Sequence, residues 1–181
     1  MKTLYIIRHA KSSWKNPDIP DPERPLLEKG KKRTKKIIDF LLARQIRTQY
    51  MITSPAVRAY ETAVFIASAV NYPLEKIQLS PKLYYGDNMK IFETIARVNN
   101  DYDSLMLVGH NPSLTNFINE FIEPKIDYLP TSGIVCFDFD TTSWTRIGTA
   151  DKRLKFIIYP KLLPESGSDY LHETTFTYEK V

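Results

Sequence analysis

A single cysteine, Cys136, stands among the 181 residues, which excludes an intramolecular disulfide and leaves no thiolate set for a structural zinc site. It lies in the apolar run Ile134-Val135-Cys136-Phe137, where a small buried hydrophobe belongs. Long hydrophobic runs are lacking too: no stretch approaches the ~18–20 apolar residues of a membrane span. The apolar opening at residues 4–7 stops at Arg8, short of the ~7–15 residues that a signal-peptide core needs. These absences predict a reduced, cytoplasmic protein with no membrane partner. No glycine- or serine-rich linker, low-complexity segment or internal repeat divides the chain. The net charge of +4 and pI near 9.0 tilt the partner toward an anion. No basic stripe interleaved with aromatics is present, so nucleic acid is not the expected anion.

Hydrophobic residues make up 43% and charged residues 25%, the balance of one well-cored globular domain. That domain is expected over residues 1–164, with residues 165–181 a polar tail in which residues 172–178 add an edge strand. Residues 4–7, 50–53, 77–79 and 104–109 read as short apolar strands of the kind buried on both faces. Helices are expected over residues 26–44, 56–70, 90–98 and 112–122. Ser54-Pro55 supplies the N-cap and first-turn proline of the second helix, while Gly30 weakens the first turn of the first. After Pro130 the pattern changes, and residues 133–139, 144–149 and 154–158 read as an antiparallel meander. Strands alternating with helices and then hairpins predict a three-layer α/β/α domain with a mixed, mostly parallel central sheet.

Three segments share one design, an apolar strand followed by a sharp turn with a charged or imidazole residue. They are Ile6-Ile7-Arg8-His9, Ile52-Thr53-Ser54-Pro55-Ala56-Val57-Arg58 and Leu107-Val108-Gly109-His110-Asn111-Pro112. In an open α/β sheet, ligands bind outside the carboxyl ends of the strands, where helix N-termini also favour anions. Two arginines and two histidines on that edge make a phosphate pocket. The arginine forks suit the phosphoryl oxygens, and a neutral imidazole can attack phosphorus. A metal site is the competing use of two histidines; Arg8 beside one of them, and no carboxylate close to either in sequence, argue against it. His172, in the tail, is expected to be exposed and uninvolved.

Arg8-His9-Ala10, Ser54-Pro55-x-x-Arg58-Ala59-x-x-Thr62-Ala63 and Val108-Gly109-His110-Asn111 resemble the signature of the histidine phosphatase superfamily, which has the phosphoglycerate-mutase-like fold. Within it, the chain resembles the small SixA-type phosphohistidine phosphatases. Arg-His-Ala-Lys-Ser-Ser-Trp at residues 8–14 and Asp21-x-x-Arg24-Pro25-Leu26-x-x-Lys29-Gly30 carry that finer likeness. The resemblance implies that His9 takes the phosphoryl group while Arg8, Arg58 and His110 bind it, with no cofactor. It also implies phosphate contacts from Lys11, Ser12 and Asn16, and that a phosphate or sulfate ion fits the site.

Many larger relatives place a general-acid glutamate where this chain reads Leu83-Tyr84-Tyr85-Gly86-Asp87. Asp87 and Glu93 are the nearest carboxylates that would replace it. Trp14, Tyr84 and Tyr85 are placed at the pocket mouth. Imidazole is a better leaving group than an alkoxide, so a site without a strong acid suits phosphohistidine on a protein. The substrate stays open between such a phosphorylated protein and a small phosphate ester, and a phosphate-binding module without chemistry is the remaining alternative. Residues 29–36 hold six basic side chains, either a solvated face or a docking surface for an acidic phosphoprotein.

Overall fold

The computed structural model describes residues 1–14 and 16–164; the tail at residues 165–181, with its expected edge strand and His172, lies outside the described residues. At the centre is β1 (Lys2–Arg8), which pairs in parallel with β4 (Ser104–Gly109) and antiparallel with β5 (Ile134–Phe139). β2 (Tyr50–Thr53) and the short β3 (Gln78–Leu79) extend the parallel side, and β6 (Lys152–Ile158) closes the other edge antiparallel to β5. The six strands run in the order β3-β2-β4-β1-β5-β6.

Period-two alternation divides the core between the two faces of the sheet. Leu4, Ile6, Leu105 and Leu107 pack on one face with residues of α4 (Asn88–Ile95) and α5 (Ser113–Ile118), among them Ile91, Leu114 and Phe117. Tyr5, Ile7, Met106 and Val108 pack on the other with α1 (Glu28–Ala43) and α2 (Val57–Ala69) through Ile37, Leu41, Ala63 and Ile66. Helices on both faces of a mixed sheet make the three-layer α/β/α domain that the element pattern predicts. A one-turn helix, α3 (Lys82–Tyr85), precedes α4. No helix among the described residues is long and apolar enough to cross a membrane.

Two local expectations are corrected. Residues 144–149 form no strand; Trp144–Arg146 is a 3-10 turn, and β5 and β6 pair directly. Trp144 and Ile147, each 1% exposed, are three apart, so they share one face of a turn and not one face of a strand. The indole is further held by its Nε1–H donating to Tyr102 O at 2.9 Å. Gly30 is likewise a requirement and not a weakness. A Cβ there would stand 2.3 Å from Lys11 O, where the chain leaving β1 crosses the first turn of α1.

Candidate active site

The carboxyl ends of β1, β4 and β2 lie side by side, and each delivers its residues to the same edge. Arg8 ends β1 in register with Gly109, and His9 N donates to Gly109 O at 3.1 Å. The rings of His9 and His110 stand 4.8 Å apart between centroids. Arg58 enters from the first turn of α2, which Thr62 ties to the chain after β1: its Oγ1 accepts from Ala10 N at 3.0 Å and donates to Arg58 O at 2.6 Å. The structure thus brings together Arg8, His9, Arg58 and His110.

His9 Nδ1 lies 2.7 Å from Ala10 O, and because a carbonyl only accepts, the ring proton belongs on Nδ1. The lone pair is then on Nε2. Burial, followed by the charges of Arg58, Arg8 and Arg24, pulls the His9 pKa down to about 4 against that hydrogen bond. His110 is lowered to about 3 by burial and by its neighbours His9 and Arg58. Its Nε2 meets Ser54 Oγ at 2.8 Å, while His110 Nδ1 and Arg8 Nε are buried without a hydrogen-bond partner among the described residues. Arg8 Nη1 donates to Leu129 O at 2.9 Å.

The pKa directions carry a prediction with a definite sign. Both folded values lie below the ordinary 6.5, so an unfolded chain takes up protons that the native site refuses. Stability is therefore full above about pH 6.5 and falls as the pH drops toward 4, by about 3 kcal/mol for His9 alone. An NMR titration is expected to show both rings neutral down to about pH 5; a midpoint near 6.5 for either contradicts this electrostatic picture.

Asp21, Arg24 and Ser54 were assigned no part in the site from the sequence, and Tyr84 only a place at its mouth. Asp21, in the proline-flanked turn Asp21–Glu23, takes both ends of the Arg58 fork: Nη1 donates to Asp21 O at 2.6 Å and Nη2 to Oδ2 at 2.8 Å. Tyr84 OH donates to the same Oδ2 at 2.6 Å, and its ring stands edge-on to His110 at 5.3 Å. Arg24 is 6% exposed and clamps the loop, donating to Asp21 Oδ1, Ser12 Oγ and Ser13 O. Its guanidinium also lies 3.2 Å from the Trp14 ring centroid. Ser54 serves His110 and the turn before α2, whose N-cap is Ala56. The signal for the acid–arginine pair was the spacing Asp21-x-x-Arg24, which one 3-10 turn brings together.

The remaining expected residues are placed as follows. Ser12 is buried with its hydroxyl accepting from Arg24, Asn16 Oδ1 accepts from Asp18 N, and Lys11 is exposed. Trp14 and Tyr85 are 78% and 79% exposed. Asp87 caps α4 by accepting from Lys90 N. Glu93 is paired with Lys82 and Lys90, whose ammonium groups hold it well below the usual carboxylate range. Five of the basic residues at positions 29–36 border a groove of about 920 Å³ that none of Arg8, His9, Arg58 and His110 lines. Among the described residues no group of three or more His, Cys, Asp and Glu is arranged to hold a metal ion.

Two histidines and two arginines thus meet at the carboxyl edge of the sheet, where open α/β folds bind their ligands. The model of the histidine phosphatase superfamily (branch 1) matches residues 4–104, and the chain belongs to that superfamily. Within it the fold is SixA-like. The structure of the protein histidine phosphatase SixA with tungstate superposes with a TM-score of 0.74 at 19% identity, covering 88% of this chain and 98% of that one. A candidate phosphohistidine phosphatase SixA from Agrobacterium tumefaciens gives 0.72 at 27% identity, covering 88% and 98%. A mycobacterial glucosyl-3-phosphoglycerate phosphatase with VO3 gives 0.64 at 11%, covering 86% and 98%. An uncharacterized protein of Picosynechococcus sp. is 31% identical over 113 residues, 61% of this chain and 67% of its own length. An uncharacterized chloroplastic protein of Arabidopsis thaliana is 26% identical over 118 residues; they are 61% of this chain and about half, 54%, of that relative.

Proposed function

We propose that this protein is a phosphatase that transfers a phosphoryl group to His9 Nε2 and then to water, acting on phosphohistidine in proteins. The observation that carries the proposal is the state of His9. Its proton is fixed on Nδ1 by Ala10 O, its lone pair is free, and its pKa near 4 keeps the ring neutral at physiological pH. Arg8, Arg58 and His110 supply donors for the phosphoryl oxygens, where charge gathers as the bond to the leaving group stretches. With Ser54 Oγ donating to its Nε2, His110 carries its proton on Nδ1; that atom and Arg8 Nε, buried and unpartnered among the described residues, are donors suited to that use.

The leaving group argues for the substrate. Glu93 is committed to two lysines and Asp87 to a helix cap, so neither is placed to protonate an alkoxide. A phosphohistidine needs no such help when its ring departs as neutral imidazole. The alternative is a small-molecule phosphomonoesterase on the same residues, favoured by the fold shared with the mycobacterial glucosyl-3-phosphoglycerate phosphatase. Hydrolysis of a phosphohistidine protein beside a panel of small phosphate esters separates the two. Faster turnover of the alkyl esters would overturn the protein assignment.

The assigned roles also set magnitudes. Removing a preorganised donor from a transition-state oxygen costs ~3–4 kcal/mol, about 10²–10³ in rate. Arg58→Ala and His110→Ala are each expected to lose that much in kcat with an aryl phosphate. A loss under about threefold for either removes it from the phosphoryl-binding set.

A further inference from the structure

We propose that Asp21 selects phosphohistidine by accepting a hydrogen bond from the far ring N–H of the departing imidazole. This rests on the phosphohistidine assignment above and adds a residue to it.

The chemistry of the leaving group defines what such a residue must do. When the P–N bond breaks, its electron pair stays on the imidazole nitrogen and phosphorus bonds to His9 Nε2. If the other ring nitrogen already carries a proton, neutral imidazole leaves and no proton moves. If it does not, an imidazolate must leave, which is far harder. A site for this substrate therefore needs no acid at the breaking bond. It needs an acceptor that holds the ring in its protonated form, and an ionised carboxylate is the strongest one available to a protein.

His9 already shows the device. Ala10 O keeps the proton on Nδ1, so the phosphorylated ring is itself protonated and departs neutral when water attacks phosphorus. The water loses its proton to the phosphate product. Asp21 is placed to do the same for the substrate ring. It grips the outer end of the Arg58 guanidinium, so a phosphoryl group bound to Arg58 brings its leaving group within one guanidinium's width of the carboxylate. Oδ2 accepts from Arg58 and Tyr84 and Oδ1 from Arg24, which leaves one of the carboxylate's roughly four acceptor positions. The side chain is also 42% exposed, so the carboxylate is not sealed from solvent.

The groups facing Asp21 are cationic or neutral: Arg24 from its own turn, Arg58 from α2, Tyr84 from α3, and more distantly His110 after β4. The phenol and the two guanidiniums outweigh partial burial and hold the carboxylate ionised far below its ordinary range. An aryl or alkyl ester presents no ring N–H. For those substrates Asp21 holds Arg58 but offers the leaving group nothing, and its negative charge stands near an incoming dianion.

The test measures kcat and kcat/KM of wild type and Asp21→Asn across pH on phosphoimidazole, its N-methylated analogue and an aryl phosphate. In the variant, the ratio of phosphoimidazole to aryl phosphate cleavage is expected to fall at least about tenfold, the scale of one charge-assisted hydrogen bond. The alkaline limb of kcat for phosphoimidazole, which marks loss of the proton from the bound ring, is expected to move to lower pH. At pH values where phosphoimidazole is protonated, wild type is expected to prefer it to the methylated analogue, which has no N–H to donate, and the variant to lose that preference. Equal losses on phosphoimidazole and the aryl phosphate with an unmoved limb would overturn the assignment, because Asp21 then only holds Arg58. Equal wild-type rates on the two imidazoles would overturn it without any variant. Wild type active on the aryl phosphate but inert on phosphoimidazole would refute the phosphohistidine assignment itself, and this inference with it.

Discussion

His9→Ala is expected to lose at least about 10⁴-fold in kcat on every phosphorylated substrate while the protein stays folded. No second group can take over the attack. His110 Nε2 is engaged by Ser54, and its remaining nitrogen is needed as a donor to the phosphoryl oxygens. The fold tolerates the change because β1 is held by main-chain pairing to β4 and β5, and His9 lies beyond the strand's end. Circular dichroism and the thermal midpoint check that part. In wild type, brief exposure to labelled substrate followed by denaturation traps an acid-labile, base-stable phosphoryl group. The structure specifies where: Nδ1 is occupied by its bond to Ala10 O, so phosphorus belongs on Nε2. A variant with near-normal turnover, or a label found on Nδ1, contradicts the mechanism.

Most of the layered fold was legible because strands buried on both faces are written as unbroken apolar runs. Ile6-Ile7 and Leu105-Met106-Leu107-Val108 alternate between two cores, so both faces of those strands must be apolar. The residues clustered at the strand ends were legible for a related reason. A charge or imidazole directly after such a run is placed by the strand itself. What was not legible depends on the path of loops. Asp21 and Tyr84 lie 63 residues apart in sequence and meet at 2.6 Å over Arg58. Neither spacing nor periodicity encodes that meeting. Ser54 looked like a helix cap because Ser-Pro before a helix usually is one; it turns instead toward His110, 56 residues away. The run at residues 144–149 misled because Trp and Ile favour strands in general, while here one 3-10 turn buries both.

The carboxylates near the site also decide how steeply the rate should depend on the leaving group. A working general acid contributes ~10²–10⁴-fold by protonating the departing oxygen, and it does most for the poorest leaving groups. Glu93 is tied to Lys82 and Lys90, Asp87 caps α4, and Asp21 is held ionised between Arg24 and Arg58. Glu93 and Asp21 are thus held ionised by their cationic partners, and Asp87 is engaged by the helix end. Aryl phosphates, whose phenolate leaves unaided, are therefore expected to react at least about 10³-fold faster in kcat/KM than alkyl esters such as sugar phosphates. Asp87→Asn and Glu93→Gln are expected to leave that ratio unmoved, since both carboxylates are engaged by other groups. A series of aryl and alkyl phosphates, plotted as log kcat/KM against leaving-group pKa, measures it directly. Suppose the plot is flat and one of these variants loses alkyl cleavage alone. A proton donor is then at work, the argument for a phosphohistidine substrate loses its physical ground, and the small-molecule phosphatase becomes the better account of the same residues.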